Sequence, residues 1–175
     1  MYAHSRDFSC YLQQDLGDRI LYNAVEEGRS RGNYNTREKK LLFKAMEALP
    51  ALQFKGAEGL DFGVCYPQPE FDERMISFDL NYFKYCFLKA TGLDFSEIKL
   101  EDDFRKLSSV LLRDASDTFL YRDFQARNVM LVSDEPYFID FQGGRKGPIY
   151  YDVASFVWQA KRSEERRVGK ECTIQ

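Results

Sequence analysis

Two short apolar runs, Val129–Val132 and residues 137–139, flank Ser133, Asp134, Glu135 and Pro136, and this pairing constrains the chain more than any other feature. Runs this short do not make a helix, and the turn-rich link between them predicts an antiparallel hairpin. In such a hairpin Asn128, just before the first strand, and Asp140, just after the second, lie opposite each other at the open end. Asp123 sits five residues before Asn128, where a short loop can aim it at the same end. Taken singly, each of these residues reads as an Asx turn or a loop cap. Taken together, Asn128 and Asp140 supply hard oxygen donors of the kind magnesium takes when phosphate and water complete its shell, and Asp123 stands as the base or orienting group for an attacking hydroxyl.

The rest of the chain frames this hairpin with helices. Ile20, Leu21, Ala24 and Val25 predict a short helix over 18–27, ended by Gly28. Thr36 is the expected N-cap of a longer helix with Leu41, Leu42, Ala45, Met46, Leu49 and Leu52 on its inner face, which Pro50 should end or kink. A loop over 56–69 precedes helical patterns over 70–90 and 100–114, and from Thr118 the pattern changes to short strands, the first at 119–121. Asp152 is the expected N-cap of a last helix striped by Val153, Phe156, Val157 and Ala160, with Trp158 in the core. At the other end Phe8, Cys10 and Leu12 alternate as a strand does, and such a strand needs neighbours. Met1 is therefore expected to be internal to a longer protein.

Composition narrows the function classes. A chain of 175 residues, 44% hydrophobic, has room for one domain, and its net charge of −3 gives no basic footprint for nucleic acid. Any bound polyphosphate then needs a metal or a local basic group. Four scattered cysteines without metal-ligand spacing suggest free thiols and a cytoplasmic location, and no apolar run is long enough to span a membrane. His4, the only histidine, lies at the very start, which argues against Ser-His-Asp or Cys-His catalysis. Arg145 and Lys146 among glycines read first as an exposed basic turn and second as phosphate or substrate contacts. The segment from Arg162 to Cys172 departs from the composition before it and resembles the in-frame translation of a sequencing adapter, so 162–175 is read as a non-native tail.

The stretch Tyr121-Arg122-Asp123-Phe124-Gln125-Ala126-Arg127-Asn128, followed by Ile139-Asp140-Phe141 and by Tyr151-Asp152, resembles the catalytic and metal-binding loops of the protein-kinase-like superfamily. Within it the chain looks most like the aminoglycoside phosphotransferase-like kinases, in a subgroup related to bacterial cell-wall amino-sugar (N-acetylmuramate/N-acetylglucosamine) kinases. The resemblance implies an α+β fold: a kinase-like C-terminal lobe over 17–161, mostly helical, with a small antiparallel hairpin carrying the catalytic loop. It implies ATP and Mg2+ as cofactors and a hydroxyl of a sugar, amino sugar or similar small molecule as acceptor. By the same resemblance Asp123 is the catalytic Asp, Asn128 and Asp140 hold the metal, and Asp152 and Tyr121 support the loop. Residues 1–16 would be the end of an N-lobe strand and the hinge, with the backbone of Gln13, Gln14, Asp15 and Leu16 meeting adenine. Arg127, Arg145, Lys146 and Asp79 are further candidates for substrate or phosphate contact.

There are departures from the family pattern. Tyr121 stands where the family often has His, and Gln142 where Asp-Phe-Gly has its Gly. No Gly-rich phosphate loop or strand lysine precedes Phe8, so an upstream lobe is expected to be required and the chain alone to be inactive. The competing expectation is a catalytically silent pseudokinase or a nucleotide- or partner-binding module. The intact Asp123, Asn128 and Asp140 set argues against it.

Overall fold

Asn35, one residue before the expected cap, starts the longest helix of the computed structural model, which describes residues 2–7, 9–113 and 117–161. The Asn35 side chain accepts a bond from the Glu38 N–H at 2.9 Å, and Glu38 accepts one from the Asn35 N–H at 2.8 Å. This capping box satisfies donors that a helix start otherwise leaves unmade. The Glu38 carboxylate also accepts from the Gly28 N–H at 2.8 Å, which fastens α3 (Thr36–Lys55) to α2 (Glu26–Arg31). A side chain at position 28 would not fit, because its Cβ would lie 2.5 Å from Glu38 Oε2. Gly28 is therefore inside a helix, not beyond its end. The single helix expected over 18–27 is instead α1 (Leu21–Ala24) followed by α2, which closes at Gly32 with φ 70°.

Pro50 does not end α3, which runs on to Lys55. The proline is exposed and forfeits one backbone bond, while Leu41, Ala45, Leu49 and Gln53 bury a four-residue stripe. Burial of that stripe, at roughly 1.5–3 kcal/mol for a fully buried leucine, outweighs the break. Its Leu41, Ala45 and Leu49 pack with Leu21, Val25, Tyr121, Phe124, Val129, Leu131 and Phe156 into the main core. A second cluster of Phe71, Met75, Ile76 and Leu120 lies under α4 (Glu73–Phe83), which is capped by Asp72 and passes into a π-helical turn, Lys84–Leu88. The helix expected from 70 thus starts later, since Phe71 is drawn into strand-like pairing. α5 (Glu97–Leu111) is capped by Ser96, and Glu97 and Glu101 reach Lys84 at 2.7 and 2.9 Å.

Three small antiparallel sheets complete the α+β architecture. β1 (Ala3–His4) pairs with β2 (Tyr11–Leu12) on the surface, β3 (Thr118–Leu120) with β6 (Arg145–Gly147), and β4 (Val129–Val132) with β5 (Glu135–Phe138). The β4–β5 turn is tighter than expected: only Ser133 and Asp134 lie in it, at φ 53° and 63°, and Glu135 and Pro136 belong to the strand. Two successive positive φ values match the twist of the flanking strands, and so favour this short turn. The exposed basic turn expected at Arg145 and Lys146 is a strand, and Arg145 is only 1% exposed. The extended segment before α4 covers the free edge of β6: Phe71 N–H donates to Lys146 O at 2.8 Å and Lys146 N–H to Pro69 O at 2.9 Å.

The last helix, α6 (Ile149–Lys161), begins four residues earlier than expected, so Asp152 lies within its first turn and is not its cap. Trp158, expected in the core, is 63% exposed beside Val153 and Val157, because the face that packs inward is the one bearing Asp152 and Phe156. The expectations for Phe8, for the side chain of Ala160 and for the 162–175 tail lie outside the described residues. Among those residues Cys10, Cys65 and Cys86 are free thiols, and no helix is long and apolar enough to cross a membrane.

The cap gives a direct test of this packing. Asn35→Ala should destabilise the chain by about 1 kcal/mol, read as a lower urea midpoint with an unchanged m-value. An unshifted midpoint would show that the Glu38 bonds to α2 alone hold the helix start.

Candidate active site

The site is organised by a buried carboxylate. Asp152 is 0% exposed, and its oxygens accept the N–H groups of Tyr121 and Arg122, each at 2.9 Å, and the Gln53 side-chain amide at 3.1 Å. Burial raises its pKa, and these three hydrogen bonds oppose the rise. Two consecutive main-chain donors on one carboxylate hold Arg122 at φ 74°, a conformation that costs a side chain of this type roughly 1–3 kcal/mol. The next residue, Asp123, is turned outward and is exposed.

Tyr121 ties this loop to the hairpin. Its ring is buried, edge-on to Phe124 at 5.6 Å and to Phe138 and Phe141 at 6.4 Å, and its hydroxyl donates to the Ile139 carbonyl. Burial, followed by the nearby carboxylates of Asp140, Asp123 and Asp152, pushes the phenol well above its ordinary pKa, so it stays a proton donor. The cross-link between loop and hairpin is thus made by the phenol of Tyr121.

The hairpin register brings the remaining candidates together. Val129 faces Phe138, and the Ile139 N–H donates to Asn128 O at 3.1 Å, so Asn128 stands opposite Ile139 and Asp140 follows one residue further along at the same open end. The Asn128 amide nitrogen donates to the main-chain oxygen of Asp123 at 2.9 Å, which leaves the amide oxygen as the outward, accepting end. Asp140 has φ 67°, and one of its carboxylate oxygens accepts from the Gln142 side chain. Gln142, the residue that replaces the motif's Gly, thus orients the carboxylate. Among the described residues no three His, Cys, Asp or Glu side chains cluster as a metal site, so a cation here would depend on ligand and water oxygens for most of its shell. Magnesium is bound in that way, through one or two carboxylates. The Asn128 and Asp140 oxygens fit that requirement.

Beside this loop lies a cavity of about 520 Å³, lined by Asp123, Arg122, Gln142, Gly143 and Arg145, with Tyr66, Gln68, Arg74 and Phe78 opposite. Asp79 does not line it but pairs with Arg122 at 2.9 Å, and burial raises its pKa against the opposing Arg122 charge. Lys146 is turned to Asp117 at 2.6 Å, and Arg127 lies 5.6 Å over the Tyr22 ring, so neither lines the cavity. Gln13, Gln14 and Asp15 are exposed in the stretch after β2, and Leu16 is half-buried. Sequence reasoning overlooked Gln53, Arg122 and Arg74. Arg122 could have been flagged by its place beside Asp123, whereas nothing in the sequence marks Gln53 or Arg74.

Residues 65–171 match the phosphotransferase enzyme family, APH, over a span that includes the whole cavity lining, the hairpin and α6. The chain belongs to that family. Among curated proteins it is 30% identical over 158 residues to the N-acetylmuramate/N-acetylglucosamine kinase of Neisseria meningitidis serogroup B, covering 88% of this chain and 44% of that protein. It is 27% identical over 146 residues to the protein of the same name from Pseudomonas aeruginosa, covering 81% of this chain and 38% of that protein. The chain therefore spans less than half the length of these relatives.

In this APH-family chain the role of Asp152 can be read from hydrogen exchange. Asp152→Ala leaves the Tyr121 and Arg122 N–H groups buried without an acceptor, which should cost about 3 kcal/mol and strip exchange protection from those two amides first. Full protection of both in the variant would refute the bracing role.

Proposed function

We propose that this chain is the metal- and acceptor-binding lobe of an ATP- and magnesium-dependent kinase that phosphorylates a hydroxyl of a sugar or amino sugar. The observation that supports this reading is the register of the hairpin, which puts Asn128 and Asp140 at its open end, with Asn128 bonded to the main chain of Asp123 and Asp123 lining a cavity of about 520 Å³. Small-molecule sites run from about 300 to 1,000 Å³. Family membership supplies the reaction class, and the names of the two relatives point to an amino-sugar acceptor.

Asp123, outward-turned and lining the cavity, orients the acceptor hydroxyl and takes its proton as the phosphoryl group is transferred. Asn128 and Asp140 would hold Mg2+, which when bound neutralises charge on the phosphate oxygens. Asp152 and Tyr121 fix the loop so that little reorganisation is left for the reactive complex. The backbone over 13–16 would meet adenine, and an upstream lobe would close over the phosphates. Free thiols and ATP dependence fit a cytoplasmic setting. No observation favours a silent pseudokinase, because none of the three chemical groups is replaced.

The test is ATP-dependent phosphorylation of amino sugars by the full-length protein. Asp123→Ala should lower kcat by about 10²–10⁴, and turnover retained in that variant would rule out the proton-accepting role. Asp140→Ala should abolish magnesium-dependent nucleotide binding, and unchanged binding would remove the metal assignment.

A further inference from the structure

Arg122, the residue before Asp123, is held from two sides. Its N–H donates to Asp152 at 2.9 Å, and its Nη2 donates to Asp79 Oδ1 at 2.9 Å. The first bond fixes the peptide that enters Arg122 and leaves rotation about its N–Cα bond open. Cβ and the carbonyl carbon leave the same Cα at a fixed angle, so a bond that restrains the side chain also restrains that rotation, and with it the direction in which the chain enters Asp123. The rotation concerned is the strained one, at φ 74°. Relaxing it would swing Asp123 from its outward position.

As a stabiliser the Asp79–Arg122 pair is poor. Only Oδ1 of Asp79 takes part, Arg122 Nη1 has no hydrogen-bond partner among the described residues, and the side chains of Arg122 and Asp79 are only 19% and 32% exposed. Burial raises the pKa of Asp79 even with the guanidinium beside it. Charges withdrawn from water and incompletely bonded return little stability, so what this pair returns is conformation. Asp79 also belongs to α4, whose Arg74, Met75 and Phe78 line the cavity beside Asp123, while Asp79 itself does not line it. One helix therefore carries both the cavity wall and the hold on Arg122.

We propose that Asp79 is a positioning residue, which acts through Arg122 to aim Asp123 at the hydroxyl of an acceptor lying against α4. This rests on the phosphotransferase reading and adds to it a residue that touches neither acceptor nor nucleotide. The other role open to Asp79 is to shape the α4 wall, which would act on acceptor binding alone. The strained backbone of Arg122, next to the reactive carboxylate and bonded to Asp79, favours positioning.

A double-mutant cycle in the full-length protein, with ATP and N-acetylglucosamine, separates the two roles. Asp79→Ala should lower kcat about tenfold, short of the roughly hundredfold that a misplacement of about 1 Å costs, with both KM values little changed. In Arg122→Ala, where the hold is already gone, adding Asp79→Ala should cost no more than about twofold. Asp79→Asn, which keeps an accepting oxygen in place, should recover part of kcat. The backbone 13C shifts of Arg122, read without turnover, should leave their left-handed values in Asp79→Ala and stay closer to them in Asp79→Asn. Losses that multiply in the double variant would overturn the proposal, as would a loss confined to the KM of the sugar. So would an Arg122 that keeps its left-handed shifts in Asp79→Ala. A wild-type protein that phosphorylates no sugar is a different result: it removes the kinase reading, while the Arg122 shifts still decide whether Asp79 sets the loop.

Discussion

A carboxylate taken wholly out of water, that of Asp152, is the constraint on which the rest of this structure depends. An isolated buried carboxylate is too costly to persist, and here its cost is offset by two main-chain donors from the 121–122 loop and one amide from α3. The same bonds that make Asp152 tolerable force Arg122 into a left-handed backbone and turn Asp123 outward. The scaffold and the site are therefore one object. α6 supplies the acceptor oxygens, α3 continues past Pro50 to supply Gln53, and the loop between β3 and β4 takes the shape these partners dictate.

The hairpin carries that order outward. A turn of two residues, both at positive φ, sets the register, and the register sets which residues meet at the open end. Ion pairs from Arg19 and Arg37 to Asp134 and from Lys44 to Glu135 surround the turn. Such exposed pairs contribute little. What holds the open end is the phenol of the buried Tyr121 on the Ile139 carbonyl, together with the Asn128 amide on the main chain of Asp123.

The parts of this arrangement that were legible in the sequence are local. Two apolar runs around a turn announce a hairpin, although its turn proved two residues shorter than the expected link, because strand pairing drew in Glu135 and Pro136. Helix faces were readable from spacing, but helix ends were not. Asn35 took the cap from Thr36 because Glu38 could answer it, and Pro50 was overridden by a stripe whose burial depends on partners far along the chain. The strand at Arg145 and Lys146 was hidden for the same reason, since its partners, β3 and the segment at Phe71, are remote in sequence. Trp158 was misplaced because aromatic character does not say which face of α6 turns inward. The arginines of the cavity left no periodic trace at all.

The central claim is that the open end of the hairpin is where metal and phosphate meet Asp123. It is tested most directly by substituting Mn2+ for Mg2+ in the full-length protein with bound nucleotide and following paramagnetic broadening of assigned NMR signals. The account predicts the strongest broadening at the Asn128 side-chain amide and the backbone of Asp140 and Phe141, with Asp123 next. Broadening centred elsewhere, such as on the acidic turn at Asp134 and Glu135, would contradict it.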